Sequence, residues 1–461
     1  MRRRSTLRSL SGAGTLLGCA AAVAAGACGR AGDGAPRGSP EASAGSQVSG
    51  DAGAGPALTD DDPMLCRGCH VDHHEAWSLS MHAYAGDDPI FRAMNARGQR
   101  ETGGALGDFC VRCHAPVALA RAATTDGLNL ADLPADLRGV TCVVCHTAAG
   151  AAGASLDFVD DGVMRGPIAD PIANPVHGSV YSALLDRQEP ESANLCGSCH
   201  AVTNGLGVEV ERTIDEWRST SYAVTATLRT CGRCHMAETI AAAADVAGAP
   251  VRPVHDHVMP GVDLGAASPA QTALVQETLD PAISARLCVL PAAAGEDVSV
   301  TLENALVGHD WPSGATHDRR AWVEIVAYAQ GAIVYSSGLV GDGEAVGASA
   351  SPPLLLLRQQ LYDDQGRPTL FMWNAASSQS LLLAPATGDP AHATQTATVT
   401  VDATVDRVTS RVRVRAVDYD VTGALVASGD LSPDAAAPLP TLTVAATILE
   451  WTADRGPACL P

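Results

Sequence analysis

Cys66-Arg67-Gly68-Cys69-His70 decides how this chain is read, because the pattern returns four times. It recurs as Cys110-Val111-Arg112-Cys113-His114, Cys142-Val143-Val144-Cys145-His146, Cys196-Gly197-Ser198-Cys199-His200 and Cys231-Gly232-Arg233-Cys234-His235. Cys-x-x-Cys-His is the attachment signature of c-type haem. Two thiols three positions apart each form a thioether with a vinyl group on one porphyrin edge. The adjoining His then lies under the ring as the proximal iron ligand. Zinc ribbons pair Cys-x-x-Cys without needing a His after every pair. A disulfide framework gives the His no role, and thioredoxin-like pairs do not come in fives. The expected cofactor is five haem c groups, bound covalently through Cys66, Cys69, Cys110, Cys113, Cys142, Cys145, Cys196, Cys199, Cys231 and Cys234. His70, His114, His146, His200 and His235 are the proximal ligands.

The rest of the composition fits this expectation. Aromatic residues make up only 4% of the 461 residues, with 4 Phe in all, and porphyrins would supply the large flat apolar surfaces that a peptide core lacks. The formal charge is -21, and every basic residue is Arg. An acidic chain repels phosphate backbones, so no nucleic-acid partner is expected. Arg suits bidentate pairing with haem propionates, although a GC-rich genome is the simpler reason for the missing Lys. Without Lys there is no Lys-ligated haem.

Arg2, Arg3, Arg4 and Arg8 precede a short apolar stretch from Gly12 to Ala27, the layout of an export signal too short for a permanent membrane helix. Ala25-Gly26-Ala27-Cys28 resembles a lipobox with Cys28 as the lipidated residue; Leu16-Leu17-Gly18-Cys19 is a second candidate, and a plain secretory peptide the alternative. Residues 1–28 are therefore read as a signal peptide of lipoprotein type. Residues 29–62, rich in Gly, Ala, Ser, Pro and Asp, are read as a disordered linker. Removal of residues 1–27 takes away four Arg, changing the charge to -21 - 4 = -25.

Nine His remain for the sixth iron positions: His73, His74, His82, His177, His255, His257, His309, His317 and His392. His82 lies in Glu75-Ala76-Trp77-Ser78-Leu79-Ser80-Met81-His82-Ala83. That segment recurs as Asp215-Glu216-Trp217-Arg218-Ser219-Thr220-Ser221-Tyr222-Ala223, aligning Trp77 with Trp217 and His82 with Tyr222. His82 is read as a distal ligand and Tyr222 as a packing or propionate-bonding residue. His177 follows two prolines in an irregular segment with no periodic core face to serve, which favours ligation. In Val254-His255-Asp256-His257 the two His point oppositely if extended, and His257 is preferred. His73 and His74 face a neighbouring ring or solvent.

Taken with Ala115-Pro116 after the second motif, Gly139-Val140-Thr141 before the third, Gly166-Pro167, and Glu216-Trp217 before Cys231 to Met236, residues 64–260 resemble the bacterial multihaem cytochromes of the cytochrome c-552/4 family. The resemblance implies periplasmic electron transfer and mostly bis-His haems with His82 and His177 as ligands. Its best-known members carry four haems, one fewer than the motifs here.

Beyond the motifs, Ser268-Pro269 starts a helix through Leu279, with Ser as N-cap and Pro in the first turn. Alternating segments follow, among them 298–302, 322–326 and 411–415, and with Gly and Asp-Gly turns they indicate a β-sandwich. Cys288 and Cys459 bracket it and are expected to form a disulfide. His309, in Gly308-His309-Asp310-Trp311-Pro312-Ser313-Gly314, is read as part of a turn stabilised by Trp and Pro, with haem ligation or a propionate contact as the alternative. The fold class is thus an α-rich, loop-rich cytochrome domain packed around five haems (63–265), a linker helix (266–287) and an all-β sandwich domain (288–461).

The expected role is electron carriage in the periplasm or from an outer-membrane lipoprotein of a Gram-negative bacterium, with redox partner proteins. An oxidoreductase acting on a small nitrogen or sulfur compound at one open haem is the alternative. A third possibility is docking onto a larger complex through the β domain.

Overall fold

The computed structural model describes residues 62–174, 176–263, 268–386, 393–436 and 439–461. The export segment, Cys28, Cys19, the linker up to residue 61 and His392 lie outside the described residues. Among the described residues, no helix is long and apolar enough to cross a membrane.

Residues 62–263 form short helices joined by loops and four two-stranded β pairs. The longest helix there, Pro89–Glu101, has 13 residues. This part is less helical than expected, because each motif uses only about one turn of helix and the other segments close as β pairs, three antiparallel and one parallel. Local chemistry starts several of these turns. Asp62, Ser80 and Asp88 cap helices with their side-chain oxygens, and Pro63 and Pro89 occupy first-turn positions, where a missing N–H costs nothing.

The C-terminal part is β-rich. One sheet orders its strands Thr394–Val401, Glu296–Glu303, Ser284–Pro291 and Ala458–Leu460. The other runs Ala332–Ser337, Arg320–Ala329, Arg407–Arg415 and Leu442–Thr452, with Leu356–Leu357 also pairing with Arg320–Ala329. Alternate residues of both sheets meet in one core that includes Leu287, Val298, Leu302, Val323, Ile325, Val412 and Val444. The period-two pattern has this cause, and each fully buried Leu or Ile contributes about 1.5–3 kcal/mol. Arg320–Ala329 departs from alternation and is buried on both faces. Its outer face is covered as well: Glu324 pairs with Arg411 and Arg413, and the Trp322 indole donates to Gly338 O at 2.9 Å.

Helix Pro269–Leu279 is capped by Ser268 Oγ, which accepts from Gln271 N. Val275 and Leu279 enter the sheet core, so the helix is packed onto the β domain. The region is not all-β either, since Tyr419–Ala427 is helical. Val421 and Leu425 of that helix share a cluster with Ala93 and Met94 from Pro89–Glu101 and with Phe371 and Trp373. The Trp373 indole donates to Glu101 Oε2 at 2.8 Å, and the Arg97 guanidinium lies 4.0 Å over the Phe371 ring. Gly98 permits the approach: a Cβ there would meet the Trp373 ring at 3.1 Å. Cys288 and Cys459 are directly opposed on adjacent strands and joined in a disulfide.

Candidate haem-binding site

Each Cys-x-x-Cys-His lies on a single helical turn. His70 N donates to Cys66 O at 2.8 Å, His114 N to Cys110 O at 3.2 Å and His200 N to Cys196 O at 3.0 Å. That i to i+4 bond sets both thiols and the imidazole on neighbouring faces. Cys66, Cys69, Cys110, Cys113, Cys142, Cys145, Cys196, Cys199 and Cys231 carry free, half-buried thiols. Among the described residues no group of three or more His, Cys, Asp or Glu is placed to bind a metal ion directly. A zinc-ribbon geometry is therefore missing from these residues.

The motifs form one contiguous cluster. Thiols of Cys66 and Cys142, of Cys113 and Cys199, and of Cys196 and Cys231 lie within hydrogen-bonding reach. Cys145 in turn feels the charge of Cys199. The fourth motif thus adjoins the second, third and fifth, and the first adjoins the third.

Four proximal imidazoles each face a second imidazole. Ring centres are 6.4 Å apart for His70 and His177, 6.4 Å for His82 and His200, 6.2 Å for His146 and His257, and 6.4 Å for His235 and His309. A metal–imidazole bond of about 2 Å on each side, plus roughly 1 Å from nitrogen to ring centre, puts two axial imidazoles about 6 Å apart. The second ring nitrogens agree. Nδ1 meets a carbonyl oxygen in His70 (Ala243, 2.7 Å), His114 (Ala85, 3.1 Å), His146 (Arg165, 2.6 Å), His177 (Gly178, 2.9 Å), His257 (His255, 2.9 Å) and His309 (Asp310, 2.8 Å). In His200 it meets Glu211 Oε1 at 2.9 Å. Nδ1–H donated outward fixes the tautomer with its lone pair on Nε2, ready for iron. Burial, with like-charged neighbouring imidazoles, also lowers His82 and His235 to about 4 and His257 to about 3, keeping them in the neutral form that ligates metal. The paired imidazoles and the nine free motif thiols fit haem c, whose iron would sit between the paired rings; Cys234 is instead disulfide-bonded in this structure.

His114 differs. Among the described residues its ring partner is Phe91, stacked at 4.0 Å and 3°, and no imidazole stands opposite it at the spacing of the other four. Of the remaining His, His73 packs against His257 at 4.8 Å and His74 against Trp77 at 5.4 Å. His317 is buried in the β domain beside Asp318. His309 lies in a bend beside buried Trp311 and Pro312, is half-buried and faces His235, a placement compatible with the haem-ligation alternative. The available signal was its setting in an irregular Gly-His-Asp-Trp-Pro loop.

The two Trp segments recognised in the sequence are one device used twice. The Trp77 indole donates to Val140 O at 2.9 Å, and Val140 N donates to His82 O at 2.8 Å. Correspondingly, the Trp217 indole donates to Arg229 O at 2.7 Å, and Arg229 N to Tyr222 O at 2.8 Å. Each segment thereby docks on the residue two positions before a Cys motif. Gly139 is part of the fit: its φ is +110°, and a Cβ would lie 2.8 Å from His82 O. Where His82 offers an imidazole, Tyr222 instead packs against Gly308, the neighbour of His309; a Cβ on Gly308 would meet the Tyr222 ring at 2.9 Å.

A cleft of about 440 Å³ opens between the two parts of the chain, lined by Glu211, Arg212, Glu216, Asp310, Ser313 and Gln359 among others. Burial and the Asp310 charge push Glu216 up to about 8, and burial lifts Asp310 to about 6. Glu211 stays below the ordinary carboxylate value, because its hydrogen bond and charge contact with His200 outweigh burial.

Residues 65–147 match the family described as cytochrome c554 and c-prime. The structure is similar to that of a penta-heme cytochrome c552 from Thermochromatium tepidum, with a TM-score of 0.60 and 22% identity, over 84% of this chain and 98% of that one. That share is too large for the motif region alone, so the likeness in fold extends into the β-rich part. No curated protein matches the chain. In fold and site the chain is similar to multihaem c-type cytochromes.

Proposed function

We propose that the chain is an exported electron carrier holding five haem c groups, four of them closed by paired imidazoles. The His70–His177, His200–His82, His146–His257 and His235–His309 pairs would hold their irons, and the thioethers would come from the ten motif cysteines. Haem supplies the one-electron chemistry. The protein would fix each ring, close the four paired irons to substrate and set potentials through its ligands. The observation that carries this reading is the spacing of those four pairs, which leaves their irons no position for a substrate. The contiguity of the motifs supports passage of electrons from ring to ring, and an acidic surface favours basic redox partners. Export to the periplasm, with or without a lipid on Cys28, accords with haem c chemistry outside the cytoplasm.

A second reading has one specific observation behind it: Phe91, not an imidazole, accompanies His114. A haem on the second motif would be open to a small ligand and could act on a small nitrogen or sulfur compound. Carbon monoxide added to the reduced protein tests both. Binding at one haem in five supports an open second site in an otherwise closed carrier. No spectral change leaves electron carriage alone, and binding at several haems contradicts the paired-imidazole assignment.

A further inference from the structure

The proximal imidazoles do not all share one kind of partner. His70, His114 and His146 give Nδ1–H to neutral backbone carbonyls, whereas His200 gives it to the Glu211 carboxylate at 2.9 Å. The Glu211 side chain is 14% exposed, and several contacts hold it in place. It ends strand Glu209–Glu211, which pairs with Val202–Thr203 directly after the fourth motif. Val210 is buried against Leu361 and Ala375 of the β domain, and Gln359 Nε2 donates to Glu209 O at 2.9 Å. Thr213 Oγ1 donates to Glu211 Oε1 at 3.4 Å and contacts Ser313 Oγ of the His309 loop at 2.7 Å. The β-rich part therefore fixes the strand that carries this carboxylate.

A carboxylate accepting Nδ1–H is a stronger, charge-assisted partner than a carbonyl. It draws the proton toward itself, raises the basicity of Nε2 and makes the imidazole a better donor to the metal. Stronger donation stabilises ferric over ferrous iron and lowers the potential. The fourth motif is also the one whose thiols adjoin three others, so a haem there stands where paths through the cluster meet.

We propose that Glu211 is a positioning residue that sets the potential of the His200 haem below those of haems whose proximal His is bonded to a carbonyl, and that the β domain serves this purpose by holding the 209–211 strand. The proposal rests on the haem-bearing reading above. It assigns an energetic step at the junction of the cluster: electrons reside on the surrounding haems and leave the His200 haem fastest.

Spectroelectrochemical titration of the full-length haem-loaded protein tests it, comparing wild type with Glu211→Gln, Glu211→Asp and Glu209→Gln. Glu211→Gln keeps an acceptor without the charge. The most negative component is expected to move upward while the others stay in place, and the low-spin electron paramagnetic resonance signal of one haem changes with it. Glu211→Asp gives a smaller upward move, and Glu209→Gln, whose carboxylate pairs with exposed Arg212, gives none. An unchanged titration, or the same uniform shift in Glu211→Gln and Glu209→Gln, overturns the proposal. Haem content of the wild type is measured separately: if it is nil, the reading of function fails, whereas full haem content with no shift sinks the role of Glu211 alone.

Discussion

His235 and His309 stand 6.4 Å apart, ring centre to ring centre, and within 14° of parallel, although one belongs to the last Cys-x-x-Cys-His and the other to a loop of the β-rich part. In the proposed reading, the two ligands of one haem would come from opposite sides of the boundary between the two parts of the chain. Tyr222, which occupies the place that His82 holds in the first Trp segment, packs against Gly308 and leaves the imidazole to its neighbour.

Replacing this imidazole, His309→Ala, is expected to turn one low-spin haem high-spin and to add one carbon monoxide binding site. The other haems keep their spectra. Magnetic circular dichroism before and after the substitution checks this, and an unchanged spin balance would place the ligand elsewhere.

Gly139→Ala should be costly. The position has φ +110°, and the new Cβ would press on His82 O, a rigid backbone atom. Strain of this kind costs about 1–3 kcal/mol, and it displaces the segment that carries His82. Denaturant unfolding should show the loss, together with a disturbed low-spin signal from the His200 haem. Trp217→Phe, which removes the indole donor to Arg229 O, should cost about 1–2 kcal/mol.

Glu216 gives a pH dependence with a definite sign. Burial, then the Asp310 charge, raises it from 4.5 to about 8. The folded chain therefore keeps this proton to higher pH than the unfolded chain does, and folding stability from this group falls as pH rises from about 4.5 toward about 8. Glu216→Gln stays neutral throughout, and its amide oxygen can still accept from Asp310 N. Its melting temperature should gain on wild type as pH is raised across that window. Parallel curves would refute the assignment.

The Cys288–Cys459 disulfide closes a sequence separation of 171 residues. The double substitution to Ser is expected to lower stability by about 4–5 kcal/mol at most. The loss should appear in the β-rich part, with haem absorption intact before melting begins. Calorimetry with parallel visible absorption separates the two.

Much of this was legible in the residues themselves, since thioether chemistry dictates Cys-x-x-Cys-His locally and strand alternation reports a two-sheet core. The imidazole pairings of His82, His177 and His257 match positions singled out in the sequence: His82 by its repeated Trp segment, His177 by its irregular Pro-rich setting and His257 by its alternation with His255. His309 was harder, since its partner His235 is remote in sequence and the meeting depends on domain packing. Glu211 was illegible for the same reason: nothing in Val208-Glu209-Val210-Glu211 reveals that the strand turns back onto the fourth motif. The α-rich character expected around the motifs overstates the helix, because segments outside the short motif turns close as β pairs, which have no clear period-two signal in the sequence.

The intact mass of the protein, purified from a host with haem c maturation and denatured before weighing, tests the account most directly. Five covalently added porphyrins are predicted on a single polypeptide. A mass equal to that of the bare chain, or one carrying fewer additions than motifs, would contradict it.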